Sequence, residues 1–358
     1  MGGAGVRPER LGEVFRGLVA RYSPSGKEQE VLAYLEDVCA DQGCPYGVQP
    51  VDEDRYNLVL GNPNAPLVFV GHVDTVDAWD LEDFGPEELG GGWVRGLGVA
   101  DMKGGCAALL EAYLVLREAG LGQGVGLALV VGEEQDGDGS AAFLREARPG
   151  RAVIAEPTGL ELCTSHYGYV EAAISARGRR AHASVPELGR NAAEAVLSVL
   201  HAMLQEPSLG GEGGPVLSIR HLETSNPGFA VPARAAAWVD VHVPPGYPVD
   251  RVVAAVDRVA AAVGGKGLSV TYPCRHEGFV LPDHDPLVRA FRGAGGGSLG
   301  IFRSHSDGNL FHAAGVPTAV LGPGSLEYAH TEEERVAFAE VLEAARLFVC
   351  LARAFRCA

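Results

Sequence analysis

A short apolar run that ends in a histidine and an aspartate is the feature that most narrows the folds open to this chain. Residues 67–70 read Leu-Val-Phe-Val, and residues 71–76 continue with Gly-His-Val-Asp-Thr-Val. An uninterrupted apolar run of this length is typical of a strand buried on both faces, as in a parallel sheet. Alternate side chains of a strand point the same way, so His72 and Asp74 are predicted on one side at its carboxyl end. There one could bind a metal and the other orient the ring, although such a pair alone is more often a hydrogen-bonded turn.

Length, charge and cysteine usage exclude several classes of protein. A chain of 358 residues with 47% hydrophobic and 21% charged residues predicts two globular domains. The net charge of -17 disfavours nucleic acid and anionic membrane surfaces as partners. The seven cysteines include no Cys-x-x-Cys pair, which predicts reduced thiols, a cytoplasmic location and no thiolate zinc site. No apolar run is long enough to span a bilayer.

The order of predicted elements changes in the middle of the chain. The first half alternates helices and strands, which predicts an α/β fold with a mostly parallel sheet and helices on both faces. From residue 166 the order becomes strand, helix, strand, strand, helix, strand. We therefore expect residues 1–165 and 275–358 to form one domain, and residues 166–274 to form an inserted α+β domain. A closing helix is predicted over residues 332–355.

Four further clusters of metal-ligand residue types follow His72 along the chain. Asp101 stands before a predicted helix, where an N-terminal cap is the simpler interpretation. Glu133 and Glu134 end an apolar strand, and adjacent carboxylates in such a place are costly without a cation. Glu156 ends another strand, and His330 lies in the loop before the last helix. Ligands of open α/β sheets bind at the carboxyl ends of the strands, so these side chains are expected to meet at one edge.

This set of residue types favours a catalytic metal site. Imidazole and carboxylate ligands without a thiolate suit zinc, and also Mn²⁺ or Co²⁺. Three acidic ligands and two histidines are too many for one metal ion that must keep a water molecule. They fit two divalent ions that share a bridging carboxylate.

In this order, these residues resemble the co-catalytic zinc amidohydrolases and exopeptidases that include aminoacylase, acetylornithine deacetylase, succinyl-diaminopimelate desuccinylase and glutamate carboxypeptidase. The resemblance covers nearly the whole chain and implies a zinc-exopeptidase-like fold with an inserted lid and dimerisation domain. It implies that Asp101 bridges two metals, that Asp74 orients His72, and that Glu133 is the general base. A cis peptide bond after Asp101 is also typical of the family. The implied ligands are His72, Asp101 and Glu156 for one ion, and Asp101, Glu134 and His330 for the other.

The inserted domain carries a second family motif. Residues 178–186 and 189–192 are similar to the lid motif, whose histidine reaches the active site of the neighbouring subunit in dimeric members. The resemblance therefore implies a homodimer through the inserted domain, with His182 as the donor to the developing oxyanion. A lone histidine beside a basic turn would otherwise be a surface residue. Asn191, in the same motif, is predicted to contact substrate.

Two departures from the family pattern concern substrate recognition. Where members commonly have Asp-x-Arg to bind a carboxylate, this chain has His242 after Asp240 and Val241. Where they have Gly-Thr-Ser-Asp, residues 303–309 read Arg-Ser-His-Ser-Asp-Gly-Asn. Histidine is a poorer carboxylate ligand than arginine and is only partly charged at neutral pH. The predicted substrate-binding residues are Asn191, His242, Arg303, His305 and Gly324.

The sequence thus predicts a metallohydrolase that cleaves the amide bond of an N-acyl amino acid, in the manner of the deacetylases and desuccinylases. A carboxypeptidase or dipeptidase is an open alternative, as is an enzyme that releases an amino acid from a carrier protein. A family member that binds a ligand without turnover is a further alternative, against which the retained Glu133 argues. Two divalent ions, Zn²⁺ ahead of Co²⁺ or Mn²⁺, are the expected cofactors.

Overall fold

The computed structural model describes residues 5–78, 84–225 and 228–356. These residues divide into two compact units. The first comprises the chain up to Ser165, Leu281–Phe302 and the residues from Ser306 onward; the second comprises His166–Val280 and Arg303–His305. The second unit continues past residue 274, the predicted end of the inserted domain, because Arg275 and His276 pair with a strand of its sheet.

The first unit contains most of the helices. Its elements before the second unit are α1 (Pro8–Val19), α2 (Gln29–Asp41), β1 (Tyr46–Pro50), β2 (Tyr56–Gly61), β3 (Leu67–His72), β4 (Glu87–Glu88), β5 (Trp93–Arg95), α3 (Gly104–Glu118), β6 (Val125–Val130), α4 (Asp138–Glu146), β7 (Ala152–Ile154) and β8 (Leu162–His166), whose last residue belongs to the second unit. The second unit adds β9 (Gly168–Arg177), α5 (Ala192–Gln205), β10 (Val216–Thr224), β11 (Arg234–Val243), α6 (Val249–Val263), β12 (Leu268–Thr271), β13 (Arg275–His276) and β14 (Phe279–Val280). The chain then forms α7 (Pro286–Gly293), β15 (Leu299–Phe302), α8 (Asp307–Ala313), β16 (Thr318–Val320), β17 (Arg335–Ala337) and α9 (Phe338–Phe355).

The main sheet is parallel at its centre. Its strand order is β1-β2-β6-β3-β7-β16-β8, with β15 beside β8. Strands β6, β3, β7 and β16 run in the same direction, whereas β1, β2 and β8 join antiparallel. Every residue of β3 and of β6 is buried, as expected for strands covered on both faces. The predicted parallel sheet is therefore confirmed for the central strands.

Alternate residues of β3 enter two different hydrophobic cores. Leu67 and Phe69 belong to a large core that includes residues of α1, α3 and α9. Val68 and Val70 belong to a smaller core on the other face, with Phe143 of α4 and other residues of α4 and α8. This alternation follows from the period of two in a strand, and it places helices on both faces of the sheet.

The second unit is an antiparallel sheet covered by helices. Its strand order is β10-β11-β9-β12, and β13 also pairs with β9. Residues of β11 alternate between buried and partly exposed, as expected for a sheet with one covered face. The buried side chains form a separate core with residues of α5 and α6.

Two local features differ from or extend the sequence predictions. The predicted closing helix begins at Phe338, because Arg335–Ala337 pairs with Trp93–Arg95 as a strand. The peptide bond between Asp101 and Met102 is cis, as the family resemblance implied. At the boundary of the insertion, the amide of Leu281 donates to the carbonyl of Thr164 at 2.7 Å.

Candidate metal centre

The central strands bring the predicted ligands to one edge of the sheet. His72 is the last residue of β3 and lies opposite Val130, the last residue of β6, in parallel register. Glu133 and Glu134 follow β6 within four residues. Glu156 comes two residues after Ile154, which is opposite Val70 of β3. Because these strands are parallel neighbours, their carboxyl ends place the three segments side by side.

His72, Asp101 and Glu156 form one group that could hold a metal ion. One ligand atom of each lies within 4.8 Å of the others. The Nε2 atom of His72 is 3.3 Å from Oδ1 of Asp101 and 3.7 Å from Oε1 of Glu156. All three side chains are buried, and Oε1 of Glu156 has no hydrogen-bond partner in the described part of the chain. A buried carboxylate oxygen without a donor is expected where a cation binds.

Asp101, Glu134 and His330 form the second group. The Nε2 atom of His330 is 3.0 Å from Oε1 of Glu134 and 3.4 Å from Oδ2 of Asp101. Asp101 therefore presents one carboxylate oxygen to each group. This arrangement is the one expected of a carboxylate that bridges two divalent ions.

The electrostatics of the two groups also fit cations. Burial raises the pKa of Glu156 to about 8, and burial likewise raises the pKa of Glu134. Although burial opposes it, hydrogen bonds and the charges of Asp101 and Glu134 raise the pKa of His330 to about 12. Carboxylates crowded in this way need positive charge nearby, which protons on the imidazoles or metal ions can supply. The nitrogen and oxygen donors suit Zn²⁺, Co²⁺ or Mn²⁺.

The carboxylate of Asp74 accepts hydrogen bonds mainly from the loop after β6. Its Oδ1 accepts the amide of Glu133 at 3.2 Å, and its Oδ2 accepts the amide of Glu134 at 3.1 Å. The hydroxyl of Ser25 donates to the same Oδ2 at 2.6 Å. The Nδ1 atom of His72 lies 3.0 Å from the backbone oxygen of Asp74 and 3.6 Å from its Oδ1. The predicted contact between Asp74 and His72 thus runs chiefly through the main chain.

Glu133 lies beside the first group. Its Oε2 is 4.0 Å from Nε2 of His72, and its side chain is 8% exposed. Burial raises the pKa of Glu133 well above its ordinary value. A carboxyl group in such surroundings is suited to accept and then release a proton.

The predicted lid residues lie in the second unit. His182 is exposed, and its Nδ1 is 2.7 Å from the hydroxyl oxygen of Ser184. Asn191 is the N-cap of α5, where its side-chain oxygen accepts the amide of Ala193 at 3.0 Å. The cap explains this asparagine structurally, and its contact with substrate stays a prediction.

The two predicted substrate-binding histidines, His242 and His305, both lie against an aromatic side chain that sequence reasoning missed. The ring of Tyr169 stacks on His305 with centroids 4.4 Å apart, and it lies 5.3 Å from the ring of His242. Burial lowers the pKa of His242, which favours the neutral imidazole. Arg303 is exposed and adjoins Ser304, whose hydroxyl is 3.4 Å from Nε2 of His242.

The backbone at position 324, in the first unit, requires a glycine. Its φ is +87°, and a Cβ there would lie 2.9 Å from Cβ of Ala100. Its amide donates to Oε1 of Glu340 at 2.9 Å. The close approach to Ala100 is a structural reason for glycine, beside its predicted contact with substrate.

Sequence reasoning also missed Ser25 and Glu334. The hydroxyl of Ser25 donates to the carboxylate of Asp74, and the carboxylate of Glu334 accepts the backbone amide of Asp101. Neither residue belongs to a recognisable sequence motif. The only hint of Glu334 in the sequence was its position four residues after His330, because the groups that it contacts lie more than 230 residues away.

None of the helices in residues 5–78, 84–225 and 228–356 is long and apolar enough to cross a bilayer.

Known proteins match this chain in sequence and in fold. Residues 68–354 match the family described as "Peptidase family M20/M25/M40". A probable succinyl-diaminopimelate desuccinylase of Staphylococcus epidermidis is 30% identical over 302 residues, which cover 73% of this chain and 75% of that protein.

Solved structures extend the similarity to nearly the whole chain. A tripeptidase from Staphylococcus aureus superposes with a TM-score of 0.79 at 21% identity, covering 98% of this chain and 99% of that one. The YXEP protein of Bacillus subtilis, a dinuclear metal-binding peptidase, superposes with a TM-score of 0.64 at 14% identity, covering 96% and 97%. These two matches concern the fold alone.

The matches confirm the predicted fold class, and the sequence matches confirm that the chain is a hydrolase of amide or peptide bonds. The chain therefore belongs to peptidase family M20/M25/M40, in agreement with the two groups of ligand residues at the sheet edge.

Proposed function

We propose that this chain removes the acyl group from an N-acyl amino acid, as a deacylase of the desuccinylase type. The observation that carries the proposal is that Asp101 belongs to both groups of ligand residues, with Glu133 beside them. The sequence similarity to a probable desuccinylase supports this substrate class.

The two groups would hold two divalent ions. His72, Asp101 and Glu156 would hold one ion, and Asp101, Glu134 and His330 the other. When bound, such ions polarise the substrate carbonyl and make a water molecule more acidic. Zn²⁺ is proposed ahead of Co²⁺ and Mn²⁺ because imidazole and carboxylate are its usual ligands at catalytic sites.

Glu133 would move the proton in the reaction. Its carboxylate takes a proton from the attacking water as the water oxygen bonds to the acyl carbon. It then gives that proton to the amide nitrogen as the C–N bond breaks, so that a carboxylic acid and an amine leave. The pKa of Glu133, raised by burial, supports this role because the carboxyl must hold the proton between the two steps.

Asp74 would position this base and one ligand together. Its two carboxylate oxygens accept the consecutive amides of Glu133 and Glu134. The backbone of the loop is therefore fixed before substrate binds, which reduces the reorganisation needed during the reaction.

The lid motif supports a homodimer as the active form. We propose that His182 donates a hydrogen bond to the developing oxyanion in a partner copy of the chain. The exposed imidazole of His182 supports this role. Edge strand β10 and helix α5 of the second unit expose Val216, Leu222, Leu197 and Leu204, apolar residues that a second copy would cover. Sedimentation equilibrium of the whole chain should give two chains per particle, and one chain per particle would contradict the proposed dimer.

A cytoplasmic location is proposed from the cysteines. In the part of the chain that the structure describes, Cys39, Cys44, Cys106, Cys163 and Cys350 are free thiols. Such usage is typical of a reducing compartment.

His242 favours a second candidate within the same chemistry. An imidazole whose pKa is lowered by partial burial binds a free carboxylate less well than arginine does. A substrate whose acidic end is larger, such as an amino acid attached to a carrier protein, would place less demand on this residue. If His242 contributes to this choice, His242→Arg should shift the preference toward small N-acyl amino acids; an unchanged preference would exclude that contribution.

The first experiment is a measurement of amine release with added Zn²⁺ or Co²⁺. The substrates are N-acetyl, N-succinyl and γ-glutamyl amino acids and dipeptides, beside chelated enzyme and Glu133→Ala. We expect turnover of an N-acyl amino acid that a chelator abolishes and that falls by roughly 10²–10⁴-fold in the variant. Turnover of dipeptides alone would support the peptidase alternative. Silence across the panel with two metals bound would contradict the proposed substrate class.

A further inference from the structure

The loop that carries Asp101 has an irregular backbone. Gly98 has a φ of +75°, and Asp101 and Met102 depart from helical geometry before α3 begins at Gly104. Backbone amides in such a segment cannot all bond to one another, yet buried amides need acceptors. The position of Asp101 therefore depends on groups outside the loop.

Glu334 supplies those acceptors. Its Oε1 accepts the amides of Ala100 at 2.9 Å and Asp101 at 3.0 Å, and its Oε2 accepts the amide of Gly98 at 2.9 Å. The backbone oxygen of Glu334 also accepts the amide of Gly96 at 3.2 Å. The side chain is 3% exposed, so water does not compete strongly for these bonds. One residue thus fixes four amides of the loop.

Glu334 also belongs to the segment that carries His330. It lies four residues after that histidine, and its amide donates to the carbonyl of Thr331 at 3.1 Å. The next residue begins β17, which pairs with β5 just before the Asp101 loop. Two stretches that are distant in sequence are joined here, and each supplies a ligand to the second group.

We propose that Glu334 is a positioning residue that aligns Asp101 with His330 so that one aspartate serves two metal ions. The inference rests on the dinuclear centre proposed above. Glu334 itself is not a ligand: its oxygens are occupied by backbone amides. Without those bonds Asp101 can still reach one ion, but it is no longer held where its second oxygen meets the other group.

Glu334→Gln tests this alignment with little change in shape. In the variant, the NH₂ group of glutamine would face a backbone N–H that donates to a carboxylate oxygen in the wild type. Two donors cannot bond to each other, so at least one of the three bonds is lost. Metal content is measured by elemental analysis after dialysis against buffered Zn²⁺. Co²⁺ spectra report whether two ions are magnetically coupled. The matched control is Glu333→Gln, which changes the neighbouring carboxylate, 64% exposed, in the same way.

We expect two ions per chain in the wild type and in Glu333→Gln. We expect about one ion per chain in Glu334→Gln, with the second bound roughly 10–100-fold more weakly and the coupling lost. Two tightly bound, coupled ions in Glu334→Gln would overturn the positioning role and leave the proposed function intact. Fewer than two ions in the wild type would overturn the dinuclear centre and this inference together.

A measurement on the wild type guards against a variant that does not fold. Hydrogen exchange of the metal-free protein is followed at the amides of Gly98, Ala100 and Asp101. We expect slow exchange, because all three donate to a buried carboxylate. Exchange as fast as that of exposed loop amides would overturn the inference.

Discussion

At the scale of single residues, the site depends on carboxylates that bind backbone amides. Asp74 accepts two consecutive amides and Glu334 accepts three, each from a loop that carries a predicted ligand. Hydrogen bonds to a charged acceptor are about twice as strong as neutral ones. The irregular loops at the sheet edge are thus held by side chains, not by regular secondary structure.

Asp307 predicts a pH dependence of stability. Its side chain is 2% exposed, and neither carboxylate oxygen meets a hydrogen-bond partner in residues 5–78, 84–225 and 228–356. Burial raises the pKa of Asp307 from 3.8 to about 7. Between these values the folded chain binds more protons than the unfolded chain, so the free energy of unfolding falls as pH rises. A variant that cannot ionise here should therefore be increasingly more stable than the wild type across that range, with the full difference above it.

Asp307→Asn should therefore raise the free energy of unfolding by up to about 4 kcal/mol near pH 8, with the difference vanishing toward pH 4. Urea unfolding of chelator-treated protein is the measurement, because bound cations would lower the pKa of this carboxyl. Asp283→Asn, at an exposed position, is the control and should show no such trend. A variant less stable than the wild type at pH 8 would contradict the prediction.

At the scale of elements, helices α1 and α3 are joined by a buried ion pair. Nε of Arg10 donates to Oε2 of Glu111 at 2.6 Å, and Nη2 donates to Oε1 at 3.0 Å. The two side chains are 9% and 1% exposed. Arg10 also donates to Glu118 at 2.7 Å. Removal of the guanidinium would leave the buried carboxylate of Glu111 without its charged partner, with only the backbone amide of Arg7 donating to it at 2.7 Å.

Arg10→Met should lower the free energy of unfolding by about 3–5 kcal/mol. Arg7→Met should change it by less than about 1 kcal/mol, since the Arg7 side chain is 57% exposed in its ion pair with Glu118. Adding Glu111→Leu to Arg10→Met should restore much of the loss, because the buried charge is then gone. Chemical denaturation of the three variants measures these differences. Equal losses for Arg10→Met and Arg7→Met would show that burial of the pair does not matter.

Elements with a clear period were predictable from sequence, and those that depend on distant partners were not. The apolar run of β3 and the change of pattern at residue 166 indicated a parallel centre and an α+β insertion. The segment Arg335–Ala337 was predicted as helix but forms a short strand, because it pairs with β5 some 240 residues earlier. Ser25 and Glu334 were not predicted for the same reason: their partners are loop groups that only the fold brings near.

At the scale of the whole molecule, the two units have separate cores. The proposed metal ligands, His72, Asp101, Glu134, Glu156 and His330, all belong to the first unit. A ligand that binds only the folded state stabilises it, by about 3–4 kcal/mol at 100–1,000 times its dissociation constant. Metal removal should therefore act on one unit.

Scanning calorimetry with and without a chelator checks this expectation. We predict that chelation lowers the melting temperature of one transition by several degrees and leaves the other in place. His330→Ala should shrink the shift caused by the chelator, because it removes a ligand of one ion. An equal shift of both transitions would show that the two units unfold together or that metal binds elsewhere.

The hydrogen bond between Leu281 and Thr164 bears on how such a chain could have arisen. The two residues flank most of the second unit, and their backbones are adjacent within the first. Excision of the intervening segment would leave two ends that a turn of roughly two to five residues could close. The metal-bearing unit could thus gain, lose or exchange its insertion by recombination at one junction, without any rerouting of its own strands.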